Sequence, residues 1–191
     1  MGVSLTKGGN VSLSKAAPGL KQIAVGLGWD VRTTSGDAFD LDASALGLDD
    51  ARKVVSDEYF VFFNNKVSPD QAISHQGDNL TGEGDGDDEV INVDLTTLAG
   101  SVQTVAFTAT IYDADTRSQT FGQVRSAYIR VVDQASGEEL ARYDLSEDAS
   151  VDTALVFGEL YRNGDEWKFR AVGQGYSSGL AGIAKDFGVN L

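Results

Sequence analysis

Thirteen residues from Gly77 to Glu89 read G-D-N-L-T-G-E-G-D-G-D-D-E and hold six carboxylates among four glycines. Like charges this close raise one another's pKa or hold the chain open unless something positive neutralises them. The glycines let the backbone fold its own carbonyls toward an ion. A hard cation fits this donor set. Calcium fits it best, because it accepts roughly six to eight oxygens in a flexible geometry where magnesium demands a near-ideal octahedron. The spacing is not that of an EF-hand from either Asp78 or Asp85, and the tandem glycine-rich repeats of a calcium-stabilised solenoid are missing. The competing bland reading is a solvated acidic loop.

More acids stand where strands are expected to end. In Phe39-Asp40-Leu41-Asp42-Ala43-Ser44, alternation puts Asp40 and Asp42 on one face, toward a loop, and Phe39 and Leu41 on the other, toward a core. Asp30 directly follows Trp29. Asp113, in Ile111-Tyr112-Asp113-Ala114, ends a strand in the same way; it could approach the same face or simply cap its loop. The alternative for each isolated aspartate is a solvated loop acid. The segment Ser146-Glu147-Asp148-Ala149-Ser150 reads as a capped turn.

Enzyme chemistry finds little to work with. His75 is the sole histidine, and its neighbours make it a loop residue beside the acidic run. No cysteine is present, so a zinc set of common type is missing, and no G-x-S-x-G element exposes a nucleophilic serine. Asp40 and Asp42 could in principle do general acid and base work, but the surrounding acids fit ion binding better. Gly173-Gln174-Gly175-Tyr176 reads as a close turn after the last strand, since no lysine stands at a Walker position. No catalytic residue is expected, and the chain is expected not to be an enzyme.

The elements that must position these residues are mostly strands. Short apolar runs, many β-branched or aromatic, cover 23–29, 59–63, 90–95, 102–112, 127–132 and 140–143. In Val90-Ile91-Asn92-Val93-Asp94-Leu95 the amide and the acid share one face, which should meet water. Residues 154–161 and 166–172 flank Asn163-Gly164 as a hairpin, with Arg162 and Asp165 open to either loop or strand. Val3-Ser4-Leu5 and Val11-Ser12-Leu13 read as two short strands joined by a turn. Leu180, Ile183, Ala184 and Phe187 recur at helical spacing and predict a short C-terminal helix closed by Gly188. The expected fold is all-β, a two-sheet β-sandwich with that helix, as one domain over residues 1–191.

Composition narrows the functions. The chain has 191 residues, a mass of 20.2 kDa, a formal charge of -14 and a pI near 4.3. Nucleic acid is not an expected partner, because a polyanion is repelled by an acidic surface without a basic patch. Residues 1–22 hold no uninterrupted apolar run and no stretch approaches membrane-spanning length, so neither a leader nor direct membrane insertion is expected. A cytoplasmic location is the expectation.

Several long motifs carry a family resemblance. V-S-L-T-K-G-G-N-V-S-L-S, G-L-G-W-D, F-D-L-D-A-S and the complete acidic block are followed in order by F-G-Q-V-R, A-R-Y-D-L-S-E-D-A-S, F-G-E-L-Y-R and W-K-F-R-A-V-G-Q-G-Y. Over essentially its whole length the chain resembles the TerD family of bacterial tellurium-resistance and stress-response proteins. That resemblance implies a β-sandwich binding calcium, usually as two nearby ions, in acidic loops at one end. Carried onto this chain, Asp30 matches the G-W-D acid, and Asp40 and Asp42 match the D-L-D pair. Asp78 and Asn79 match the G-D-N element, and Glu83, Asp85, Asp87, Asp88 and Glu89 match the acidic loop. Two ions would account for more carboxylates than one can use.

The expected function is therefore a calcium-dependent interaction module of a tellurite and general stress-resistance system. Its expected partners are proteins of that system, membrane-associated ones included. Direct tellurium chemistry is not expected, since soft sulfur is limited to Met1. Two alternatives stand beside this reading: a scaffold with purely structural calcium, and a divalent-metal phosphoester hydrolase, which needs an open coordination position.

Overall fold

The computed structural model describes residues 2–30, 35–77, 86–145 and 151–190. Asp78, Asn79, Glu83 and Asp85 lie outside the described residues, as does the turn expected over 146–150. Twelve strands, numbered in chain order, form two six-stranded sheets among the described residues. In sheet one the order is β1 (Val3–Ser4), β10 (Glu139–Asp144), β9 (Tyr128–Asp133), β3 (Gln22–Gly28), β7 (Glu89–Asp94) and β6 (Ile73–His75). In sheet two it is β2 (Asn10–Ser12), β12 (Glu166–Tyr176), β11 (Ala154–Asn163), β8 (Thr104–Ile111), β4 (Leu41–Leu48) and β5 (Phe60–Val61). Short helices α1 (Leu13–Ala16) and α2 (Ala114–Arg117), the longer α3 (Gly179–Asp186) and two single 3-10 turns (Asp57–Tyr59 and Phe121–Gln123) complete the elements among the described residues. This is the expected β-sandwich with a C-terminal helix.

The two sheets bury their facing sides against each other, as alternation along β7 shows: Glu89, Ile91 and Val93 are buried and Val90, Asn92 and Asp94 are half-exposed. Strands β4 and β8 break this pattern, because every one of their residues is buried. Sheet two is covered twice. Its inner face meets sheet one through Leu41, Ala45 and Phe107, and its outer face carries Leu46, Leu48, Ala106 and Val156 beneath Ile183, Ala184 and Phe187 of the α3 segment. A strand covered on both faces is apolar throughout rather than alternating.

One local expectation changes and two are made specific. The first two strands are joined by a turn at Lys7 and Gly8, as expected, and each pairs with a different sheet: β1 runs parallel to β10, and β2 antiparallel to β12. The chain crosses between sheets at Gly8 and Gly9, which exchange backbone hydrogen bonds with Ala171, so two long strands satisfy groups that a two-residue hairpin could not. Asn163 pairs with Glu166, leaving Gly164 and Asp165 as the turn. Residues 173–176 are not a turn but the end of β12. Between the Gly158–Ala171 and Val156–Gln174 pairs, β12 carries one residue more than β11. Gly173 absorbs it as a bulge at φ +64°.

Candidate functional site

At one end of the sandwich the exit of β3 and the entries of β4 and β7 come together, held by Trp29. Its backbone N–H donates to Asp88 Oδ2 at 2.9 Å, and its indole N–H donates to the Phe39 carbonyl at 3.1 Å. The Asp88 N–H returns a bond to the Leu27 carbonyl at 2.9 Å, and the Tyr112 N–H reaches the Asp40 carbonyl at 2.8 Å. Segments distant in sequence thus deliver Asp30, Asp40, Asp42, Asp87, Asp88, Glu89 and Asp113 to one end. Asp30 is exposed. Asp113 sits at φ +52° ahead of α2, with its carboxylate 4.0 Å from Arg117 Nε.

Three of these acids are buried: Asp40 and Asp42 are each 8% exposed and Glu89 1%. Asp42 lies on the same strand face as Leu46 and Leu48, next to a row of buried hydroxyls in which Ser44 bonds Thr108 and Thr110 pairs across from Asp42. Glu89 comes from the other side, sharing its parity with Ile91 and Val93. β5 covers β4 only at Ala45 and Leu46. Past that cover, the Ala43 N–H donates to Glu89 Oε2.

His75 corrects its sequence reading. It is not in a loop but in β6, 5% exposed, with Nε2 3.5 Å from Glu89 Oε2. Alternation with Ile73 turns it inward, and the carboxylate opposite gives the imidazole a polar partner. The Gly77 N–H donates to Nδ1 at 3.2 Å, so in the neutral ring the proton is on Nε2, facing Glu89.

Asp87 points elsewhere. On the outward face of sheet one its carboxylate lies 2.8 and 3.0 Å from Arg130 Nε, and the Tyr128 hydroxyl donates to it at 3.0 Å. Gly26 and Gly28 make this possible, since a Cβ on Gly26 would fall 2.2 Å from Asp87 Oδ2 and one on Gly28 would fall 2.4 Å from the Tyr128 ring. Arg142 stacks on the other side of that ring, 3.9 Å from its centroid. Burial, and then the Asp87 charge, push the Tyr128 phenol up to about 12. Asp87 and Glu89 therefore occupy opposite faces of one sheet, and Asp87 already has a cation. For Asp88, burial raises the carboxyl pKa most; Asp87 and Asp30 raise it further, against the lowering bond from Trp29.

The carboxylates gathered here offer oxygen atoms, a set suited in kind to a hard cation. Among the described residues, no three His, Asp or Glu side chains form a group that could hold a metal ion. Also among them, no helix is long and apolar enough to cross a membrane. Sequence reading missed the roles of His75, Arg130 and Tyr128. The signal for the first was its parity with Ile73.

The fold and this end define an acid-ended two-sheet β-sandwich. The TerD domain family model matches residues 1–187, and the chain belongs to that family. It is 56% identical over 190 residues to tellurium resistance protein TerD of Serratia marcescens, covering 100% of this chain and 99% of that one. It is 48% identical over 192 residues to general stress protein 16U of Bacillus subtilis, with both chains covered at 100%. The crystal structure of a telluride resistance protein (TerD) homologue from Streptomyces coelicolor superposes with a TM-score of 0.69 at 28% identity, over 87% of this chain and 96% of that one.

Proposed function

We propose that this chain is a cytoplasmic, non-enzymatic, calcium-dependent interaction module of a tellurite and general stress-resistance system. The names of its full-length relatives support the system. The burial of Asp40, Asp42 and Glu89 at the end where Asp30 and Asp88 also stand carries the calcium reading. Buried like charges are costly unless a cation or hydrogen bonds offset them. In this reading Asp30, Asp40, Asp42, Asp88 and Glu89 supply oxygens from the strand ends, and Asp78, Asn79, Glu83 and Asp85 supply the remainder. The cation neutralises the acids and orders the surface offered to a protein partner. Asp87, engaged by Arg130, acts from the far face as an anchor.

The test is a calorimetric calcium titration of the chelated full chain, repeated in millimolar magnesium. Saturable uptake of two ions, little affected by magnesium, is expected. One ion would void the paired arrangement, and no saturable uptake would sink the calcium reading. Asp42→Asn should weaken binding by at least about tenfold, or about 1.4 kcal/mol, and Asp186→Asn far less. Equal effects would mean that only diffuse charge is sensed. The cross-sheet bond of Glu89 favours one second reading, purely structural calcium. In that case chelation alone should lower the unfolding temperature sharply, and partner capture should not vary with calcium across physiological levels.

A further inference from the structure

Strand β3 is seven residues long, so Gln22 at its start lies about 20 Å from Gly28 at ~3.3 Å per residue, far from the acidic end. Beside Gln22 is a groove of about 580 Å³ whose walls include Pro18, Leu20, Lys21, Asp133 and Gln134. A separate hollow of about 180 Å³ lies against Ser74 and Asn92, with Gln22 and Gln134 lining both. The groove alone falls within the roughly 300–1,000 Å³ range of small-molecule sites.

The hydrogen bonds at its edge orient the amides. Gln22 Nε2 donates to Asp94 Oδ2 at 3.1 Å and Gln134 Nε2 donates to the Ile23 carbonyl at 3.2 Å, so each amide has its oxygen left over for the groove. Asn92 lies between Ala24 and Ser74 in the sheet register, and its buried Oδ1 accepts no hydrogen bond among the described residues. Asp94 is engaged: Oδ1 takes the Thr96 N–H and hydroxyl at 2.8 and 2.6 Å. The Asp133 carboxylate takes the Ala135 N–H at 2.9 Å. The groove thus presents the amide oxygens of Gln22 and Gln134, Lys21 and two apolar residues, Pro18 and Leu20, while the Asn92 amide lies buried beneath the neighbouring hollow.

An anion would meet amide oxygens and Asp133 in a chain of charge -14, and a cation would meet Lys21. Hydroxyls both accept from Lys21 and donate to the amide oxygens, while ring C–H faces can rest on Pro18 and Leu20. We propose that this groove on sheet one binds a neutral polyhydroxylated ligand, a sugar of one or two rings.

The test is an amide-resolved NMR titration of the nitrogen-15-labelled full chain with glucose, maltose and N-acetylglucosamine, and separately with spermidine. At least one sugar should give saturable shifts centred on the side-chain amides of Gln22 and Gln134. Gln134→Ala, at an exposed position, should weaken that binding by about tenfold without altering calcium stoichiometry. Lys21→Met should weaken it several-fold. No saturable shift with any of the three sugars overturns the proposal, as do shifts centred elsewhere. Spermidine binding in the groove that tightens in Lys21→Met also overturns it, by assigning the groove to cations.

Discussion

The Ala43 N–H of sheet two donates to the carboxylate of Glu89 on sheet one. This bond ties the two layers together at the end where the acids gather. It also gives a buried strand edge an acceptor that no neighbouring strand supplies. The same oxygen lies 3.5 Å from His75 Nε2, so one carboxylate serves a backbone donor and an imidazole.

Replacing Glu89 should therefore be costly in a graded way. Glu89→Ala leaves a buried N–H without its acceptor and opens a void, and about 2–4 kcal/mol of stability should be lost. Glu89→Gln keeps an acceptor for Ala43 and should lose less than half as much. Urea unfolding of the chelated protein measures both. Equal losses would show that the charge, not the hydrogen bond or the filled volume, carries the contribution.

With no cation bound, the charge on Asp88 works against the fold. Burial and the nearby Asp87 and Asp30 charges disfavour its ionised form, while the bond from Trp29 supports it. Asp88→Asn keeps an oxygen for the Trp29 N–H and removes the repulsion. Without calcium the variant should melt about 2 °C higher, corresponding to roughly 0.5–1 kcal/mol for a domain of this size. With calcium the gain should shrink or reverse. A variant less stable than wild type in chelator would mean that the charge itself strengthens the Trp29 bond.

Particular residues mark how far the sequence could be read. The alternation of Ile91 and Val93 with Asn92 and Asp94 gave the faces of β7 correctly, and the spacing of Leu180, Ile183, Ala184 and Phe187 gave α3. Extending the β7 parity back by one residue carries Glu89 into the interior, but a carboxylate closing an acidic run resembles loop. The pairing partners of β1 and β2 were illegible, because two-residue strands take their partners from whichever sheet edge lies near. Asp87 was hidden for another reason: its partners Arg130 and Tyr128 come from β9, and the space for it depends on two missing side chains, at Gly26 and Gly28. Residues that belong to one site by charge were separated by which face of the sheet each strand end presents.

Away from the acids, Glu159 on β11 is buried between Arg52 and Arg170. Burial alone would raise its pKa, but the two guanidiniums outweigh it and hold the carboxyl below its ordinary value. A lowered pKa contributes stability that is present above the unfolded value, near 4.5, and lost as pH falls through the folded one. Glu159→Gln should cost about 1–2 kcal/mol at neutral pH, since two arginines lose their counter-charge but remain reachable by water. The difference from wild type should narrow below about pH 4. An unchanged gap at low pH would mean that packing rather than charge is responsible.

Tyr176, the last residue of β12, has its phenol pushed up to about 12, by burial first and then by its hydrogen bond to Asp186 and that residue's charge. A raised pKa means that the folded chain holds the proton more tightly than the unfolded one. The associated stability is complete below the unfolded value, near 10, and is lost as pH rises toward about 12. Wild type should therefore unfold at lower urea at about pH 11 than at about pH 9, and Tyr176→Phe should lose less across the same interval. Asp186→Asn removes the neighbouring charge and should bring the phenol's titration, followed by tyrosinate absorbance, back toward the ordinary tyrosine range. If Tyr176→Phe retains the full alkaline loss, another group controls that limb, and the contact between β12 and the end of α3 does not.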